Sequence, residues 1–150
     1  MLDDSGDLAG KAGAELKEEV GIAVKADDLF DMSAAAVRDV PQMPYADVHG
    51  VQDLRGERVA DSMYPSPGGC DEFMPLMLLQ KRMRRDAIEE LRGRKTGLRA
   101  EGEVITLKVV PFGELWREGG RDAKCLAALG LYENLKRVGG LPDMPDRPDE

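Results

Sequence analysis

Glu15, Glu18 and Glu19 stand at i, i+3 and i+4 within Ala14-Glu-Leu-Lys-Glu-Glu-Val-Gly-Ile22. On an α-helix this spacing turns three carboxylates to one side. Like charges that close repel, at about 0.2–0.5 kcal/mol per pair. A divalent cation reverses the sign of that cost. Mg²⁺ takes oxygen ligands, keeps several waters, and bridges one or two carboxylates to substrate phosphates. The acidic face is therefore a candidate platform for Mg²⁺, or Mn²⁺ in its place, holding a diphosphate. The plain alternative is a solvated acidic face, which is frequent on surface helices.

The elements that must position these residues are legible in outline. Residues 8–20 read as a helix, with Asp7 as N-cap and Gly21 at the helix-ending position. Leu8, Ala12, Leu16 and Val20 form its apolar stripe. Gly10 and Gly13 weaken it, by about 1 kcal/mol each relative to alanine. Residues 22–33 read as a connection leading into a strand. Residues 34–69, with Pro41, Pro44, Pro65 and Pro67, read as an exposed loop, with a short strand ending at Met63-Tyr64. Glu72–Gln80 reads as a buried strand limited by Pro75, and residues 83–94 as a charged amphipathic helix. Residues 103–110 have the strongest strand pattern, stopped by Pro111. A short helix begins at Phe112. A longer one covers 121–138, with Asp122 or Arg121 at its start, Leu126, Leu129, Leu135 and Val138 on its apolar face, and Gly139-Gly140 at its end. The proline-acid segment from Leu141 to Glu150 reads as disordered.

The chain has 150 residues, the size of one ordinary domain. It is 42% hydrophobic and 33% charged, a soluble globular composition. Its 21 basic against 29 acidic residues give a net charge of -8, which argues against a nucleic-acid partner. The apolar runs are too short to span a bilayer, so no membrane association is expected. Cys70 and Cys125 are too few for a disulfide scaffold. Cys70 reads as a small buried filler and His49 as a solvated loop residue. Aromatic residues are only 5%, so the core must be aliphatic with methionine as filler. The acidic start, Met1-Leu-Asp-Asp-Ser-Gly-Asp7, has neither the basic-then-apolar pattern of a secretory signal nor the arginines of a transit peptide.

The stretch Glu15–Ile22 resembles the second half of the Nudix box, which ends Arg-Glu-apolar-x-Glu-Glu-x-Gly-apolar. Ala14 stands where the box has arginine and Gly6 where it has its first glutamate, and the opening glycine falls before Met1. Further segments resemble Nudix enzymes that cleave nucleoside diphosphate sugars. They are Met1–Asp4, Pro65-Ser-Pro-Gly-Gly-Cys-Asp-Glu72, Lys95-Thr-Gly-Leu-Arg-Ala-Glu-Gly-Glu103, Val110-Pro-Phe-Gly-Glu-Leu-Trp116 and Gly130-Leu-Tyr-Glu133. Together they look like the plant and algal ADP-sugar diphosphatase branch. The resemblance covers residues 1 to about 140, with a long loop at about 35–62.

The resemblance implies an α/β chain: a partial Nudix α/β/α sandwich with a mixed sheet, its N-terminal strands missing because the numbering begins inside the box. A fragment and a shortened, non-catalytic paralogue are both compatible with that start. Glu15, Glu18 and Glu19 match the metal-binding glutamates. Glu18, Glu101 and Glu103 are the catalytic candidates, the last two matching a loop that supplies a carboxylate to the attacking water. A polar turn before a strand explains Glu101 and Glu103 equally well, and a strand-entry turn explains Asp71 and Glu72. The implied reaction is Mg²⁺-dependent hydrolysis of the diphosphate bond in ADP-ribose, ADP-glucose or UDP-glucose. The family form is expected to be a homodimer. Subfamily analogy points to a plastid, with the cytoplasm as the alternative. The competing function is a Nudix-like module that binds nucleotide or a protein partner without catalysis.

Overall fold

In a computed structural model, residues 13–38, 61–70, 72–98 and 102–146 are described. Among them the strands are β1 (Leu29–Asp31), β2 (Met77–Leu79), β3 (Lys95–Thr96) and β4 (Ile105–Thr106). The α-helices with two described ends are α1 (Met32–Val37), α2 (Arg85–Leu91), α3 (Leu115–Glu118) and α4 (Ala123–Arg137). Residues 13–15 are also helical and run into a five-residue π-turn, Leu16–Val20.

β1 pairs antiparallel with β2, Phe30 opposite Leu78. β3 pairs antiparallel with β4, Thr96 opposite Ile105. The described residues thus mix helix and strand, with two separate antiparallel pairs in place of the single mixed sheet expected. Pairs this short hold little on their own and lean on the helices beside them.

The core lies where α1 meets α4. Met32 and Leu135 are buried there, an aliphatic-and-methionine pairing in line with the composition. Asp31 starts α1 by accepting the Ala34 N–H at 2.9 Å, the usual work of an N-cap carboxylate. Ser33 is buried as well. Its Oγ accepts the Leu76 N–H at 2.9 Å, and the Met32 N–H donates to the Leu76 carbonyl at 3.0 Å. Two hydrogen bonds therefore clamp the first turn of α1 to the chain entering β2.

Several expectations are corrected. The loop expected from residue 34 opens instead as α1, through Val37. The Glu72–Gln80 strand narrows to β2 plus one bridge, Met63 to Met74, because Pro75 between them has no N–H to give a ladder. The 103–110 strand keeps a regular ladder only over Ile105–Thr106. Its partner turns away at Gly93, whose φ is +69°, and Arg92 Nη1 donates to the Val109 carbonyl at 2.9 Å where a strand amide would have stood. Helix 83–94 shortens to α2.

Helix 121–138 is nearly right in extent, and its cap is Asp122, which accepts the Lys124 N–H at 2.9 Å. Its apolar face is half right: Leu135 is buried and Leu129 partly shielded, whereas Leu126 and Val138 are exposed, and Ala128, Leu131 and Tyr132 join the shielded side instead, at i, i+3 and i+4 with Leu135 at i+7. Cys70 is exposed rather than buried. It ends the Pro67–Gly69 turn, its N–H donating to the Ser66 carbonyl at 2.9 Å. The proline-acid segment is described through Asp146, with the Pro142 and Pro145 carbonyls accepting hydrogen bonds from Gln80 and Arg82. Residues 8–12 of the first helix and the 39–60 part of the expected loop, with His49, lie outside the described residues. Among the described residues no helix is long and apolar enough to cross a membrane.

Candidate functional site

The acidic stretch folds as the sequence leads one to expect on its apolar side. Gly13, Leu16 and Val20 are partly shielded, while Glu15, Glu18 and Glu19 are exposed. Gly21 ends it in the left-handed region, φ +74°, where a residue without Cβ carries no steric cost.

The last turn of any helix leaves carbonyls without partners inside the helix. Here three are answered. The Gly21 N–H donates to the Lys17 carbonyl at 3.1 Å, and the Gly97 N–H to the Glu18 carbonyl at 3.1 Å. Thr96 Oγ1 donates to the Glu19 carbonyl. β3 is thereby fastened across the end of the acidic turn. The neighbouring Leu98 N–H donates to Glu103 Oε2 at 3.2 Å. Glu103 and the acidic turn therefore meet the same two-residue piece of backbone, Gly97-Leu98, from different parts of the chain. Glu101 and Asp71 lie outside the described residues, and Glu72 is exposed.

The three helix glutamates are not gathered as an α-helix would gather them. A π-turn has a wider spiral, with i to i+5 hydrogen bonding, so residues three apart rotate away from one another. Glu15 enters from the α-helical part while Glu18 and Glu19 sit in the π-turn. Among the described residues no group of three or more His, Cys, Asp or Glu is placed to hold a metal ion. The donor chemistry suits a hard cation, but the side chains as placed do not form its cage.

Two residues beside the turn escape sequence reasoning. A Cβ on Gly21 would lie 3.0 Å from the Arg94 guanidinium carbon, so a planar cation packs directly against the end of the acidic turn. Thr96 holds the Glu19 carbonyl. Both come from more than seventy residues away in the chain; Thr96 lies in the Lys95–Glu103 segment that carries part of the resemblance, whereas no local pattern announces Arg94.

A cleft of about 360 Å³ lies elsewhere, between β1, the end of β2 and Pro142–Pro145. None of the predicted site glutamates lines it.

No family model and no solved structure matches the chain. Over 137 residues it is 38% identical to a protein of Arabidopsis thaliana, Nudix hydrolase 14, chloroplastic. That is 91% of this chain and 38% of the relative, so the chain spans well under half the relative's length. A match of 137 among 150 residues leaves no room to omit Glu15–Ile22 or Glu103. The chain is thus homologous to part of a Nudix hydrolase, which supports a place in that superfamily.

Proposed function

We propose that this chain is a Nudix hydrolase domain portion acting on a nucleoside diphosphate sugar, with ADP-ribose, ADP-glucose and UDP-glucose as the candidate substrates. The observation that carries the reading is the Glu-Leu-Lys-Glu-Glu-Val-Gly-Ile stretch at 15–22, lying within a 137-residue similarity to a Nudix hydrolase. In the reaction, water forms a new bond to one phosphorus as the bridging P–O bond breaks. The water's protons end on the products, a nucleoside monophosphate and a sugar phosphate, which is glucose 1-phosphate from ADP-glucose or UDP-glucose and ribose 5-phosphate from ADP-ribose. Glu103 is the candidate that accepts a proton from that water, an ordinary role for a positioned carboxylate. Its hydrogen bond to Leu98 holds it near the backbone that closes the acidic turn.

The reading carries with it Mg²⁺, or Mn²⁺, as the required cation, with Glu15, Glu18 and Glu19 as its ligands. This rests on the motif, since the three carboxylates as placed are not clustered. A homodimer and a plastid location, with the cytoplasm as the alternative, complete the proposal. The relative's name, which includes the word chloroplastic, supports the location.

Two observations favour a second reading, a non-catalytic module. Ala14 occupies the box arginine position, and the described acidic residues form no metal-holding group. Incubation with ADP-glucose, with and without Mg²⁺, separates the two. Magnesium-dependent appearance of AMP and glucose 1-phosphate supports the hydrolase. Nucleotide binding without turnover at any Mg²⁺ concentration supports the module.

A further inference from the structure

Lys17, Glu18 and Glu19 carry three carbonyls at the end of the acidic turn, and a different donor answers each. The Gly21 N–H serves Lys17 from the end of the turn itself, whereas the donors to Glu18 and Glu19 come from β3 and the residue after it. One is backbone, the Gly97 N–H at 3.1 Å. The other is a side chain, Thr96 Oγ1. A single hydrogen bond is a pivot about which two segments can still rotate. A second one, on the neighbouring carbonyl, removes that rotation. The pair therefore fixes how the backbone of Glu18 and Glu19 sits against this strand.

The same stretch also holds Glu103. The Leu98 N–H donates to Glu103 Oε2 at 3.2 Å, and the Glu103 N–H returns to the Leu98 carbonyl at 3.2 Å. Three successive residues, Thr96, Gly97 and Leu98, thus reach Glu19, Glu18 and Glu103 in turn. Thr96 is half-buried, while Glu18, Glu19 and Glu103 are exposed.

We propose that Thr96 is a positioning residue whose hydroxyl sets the acidic turn against the Glu103 carboxylate, a role that rests on the hydrolase reading above. In that reading both parts act on one diphosphate, so their relative placement has to be held. A misplacement of about 1 Å can cost on the order of 100-fold in rate. Without the hydroxyl, only the Gly97 bond remains and the turn swings about it. The strand itself does not need this group. Valine is β-branched like threonine and as much at home in a strand, so Thr96→Val deletes one donor and leaves the pairing with Ile105 in place.

Steady-state AMP release from ADP-glucose in the presence of Mg²⁺ tests this in the unsubstituted chain, Thr96→Val and Thr96→Ser, at equal helical content by circular dichroism. In Thr96→Val, kcat should fall about tenfold or more while KM stays within about twofold, the pattern of a lost transition-state placement. Thr96→Ser, which keeps the hydroxyl, should recover most of the rate. Equal kcat in all three chains overturns the proposal and leaves the hydrolase reading standing. So does a rise in KM alone, or an equal fall in both variants. No release by the unsubstituted chain removes the reading itself, and this proposal with it. Amide hydrogen exchange gives a measurement that needs no turnover. In Thr96→Val the Leu98 N–H, which is bonded to Glu103 and not to Thr96, should exchange at least fivefold faster. Unchanged exchange at Leu98 would also overturn the proposal, because a hydroxyl that only anchors the turn has no hold on Glu103.

Discussion

Gly97 gives its backbone N–H to the carbonyl of Glu18 at 3.1 Å, which ties β3 to the open end of the acidic turn. Gly97 does so at φ +90°, with Glu103 packed against its Cα. A Cβ there would sit 3.1 Å from the Glu103 carbonyl oxygen and 3.2 Å from its Oε2. Left-handed backbone costs an L-residue about 1–2 kcal/mol. Gly97→Ala should therefore lower stability by about that amount, and urea unfolding followed by circular dichroism measures it. An unchanged midpoint would mean that the turn is not held in this conformation.

The Ser33 hydroxyl is the buried acceptor for the Leu76 N–H. Ser33→Ala leaves that N–H without its partner, at a cost of about 1–3 kcal/mol. The same unfolding assay should show the loss, and Ser33→Thr, which keeps the hydroxyl, should recover part of it. Equal losses in both variants would assign the effect to packing alone.

Asp122 couples α4 to pH. Hydrogen bonding from the Lys124 side chain, then from its backbone N–H, holds the Asp122 carboxyl below the usual aspartate range. A group lowered on folding stabilises above its unfolded pKa, here the ordinary aspartate value of about 3.9, and that contribution disappears as pH falls through the lowered folded value. The helical signal of the unsubstituted chain should thus weaken at acid pH. Asp122→Asn, measured against the unsubstituted chain, should show a gap in urea midpoint that closes as pH falls into that window. A gap that stays constant from neutral pH to below the aspartate range would contradict the assignment.

Ala14 leaves the acidic turn without the arginine of the Nudix box, while Arg94 packs against the turn's other end. Lysines at 11 and 17 lack the planar two-pronged donor of arginine. On the hydrolase reading, Ala14→Arg should raise turnover. An added pair worth about 1 kcal/mol in the transition state corresponds to a roughly fivefold gain. Steady-state AMP release measures it, and no change would show that the arginine position is idle here.

What the sequence made legible follows from how local each signal is. Asp122 and Gly139 frame α4 within a few residues of its ends, so the helix is legible in the sequence alone. α1 carries a local signal too, Asp31 followed by Ala34, but the short run Met32–Val37 sits beside a proline-rich stretch and reads as its beginning. The strands are shorter than their patterns suggest because β-branched residues mark only where a strand can form. Where a partner is available depends on Gly93 turning and on Pro75 lacking an N–H. The acidic site was legible as a motif and not as a geometry. The π-turn, the Arg94 guanidinium and the Thr96 hydroxyl depend on contacts far apart in the chain.

Whether the acidic turn at 15–22 serves diphosphate hydrolysis is decided by Mg²⁺-dependent AMP release from ADP-glucose by the unsubstituted chain and by Glu19→Gln, both checked for equal folding. The unsubstituted chain should release AMP, and loss of a ligand carboxylate should cost the second at least the roughly 10- to 100-fold that follows loss of a ligand's outer-shell partner. Equal release by the two chains, or none by the unsubstituted chain, would show that the turn has no such role.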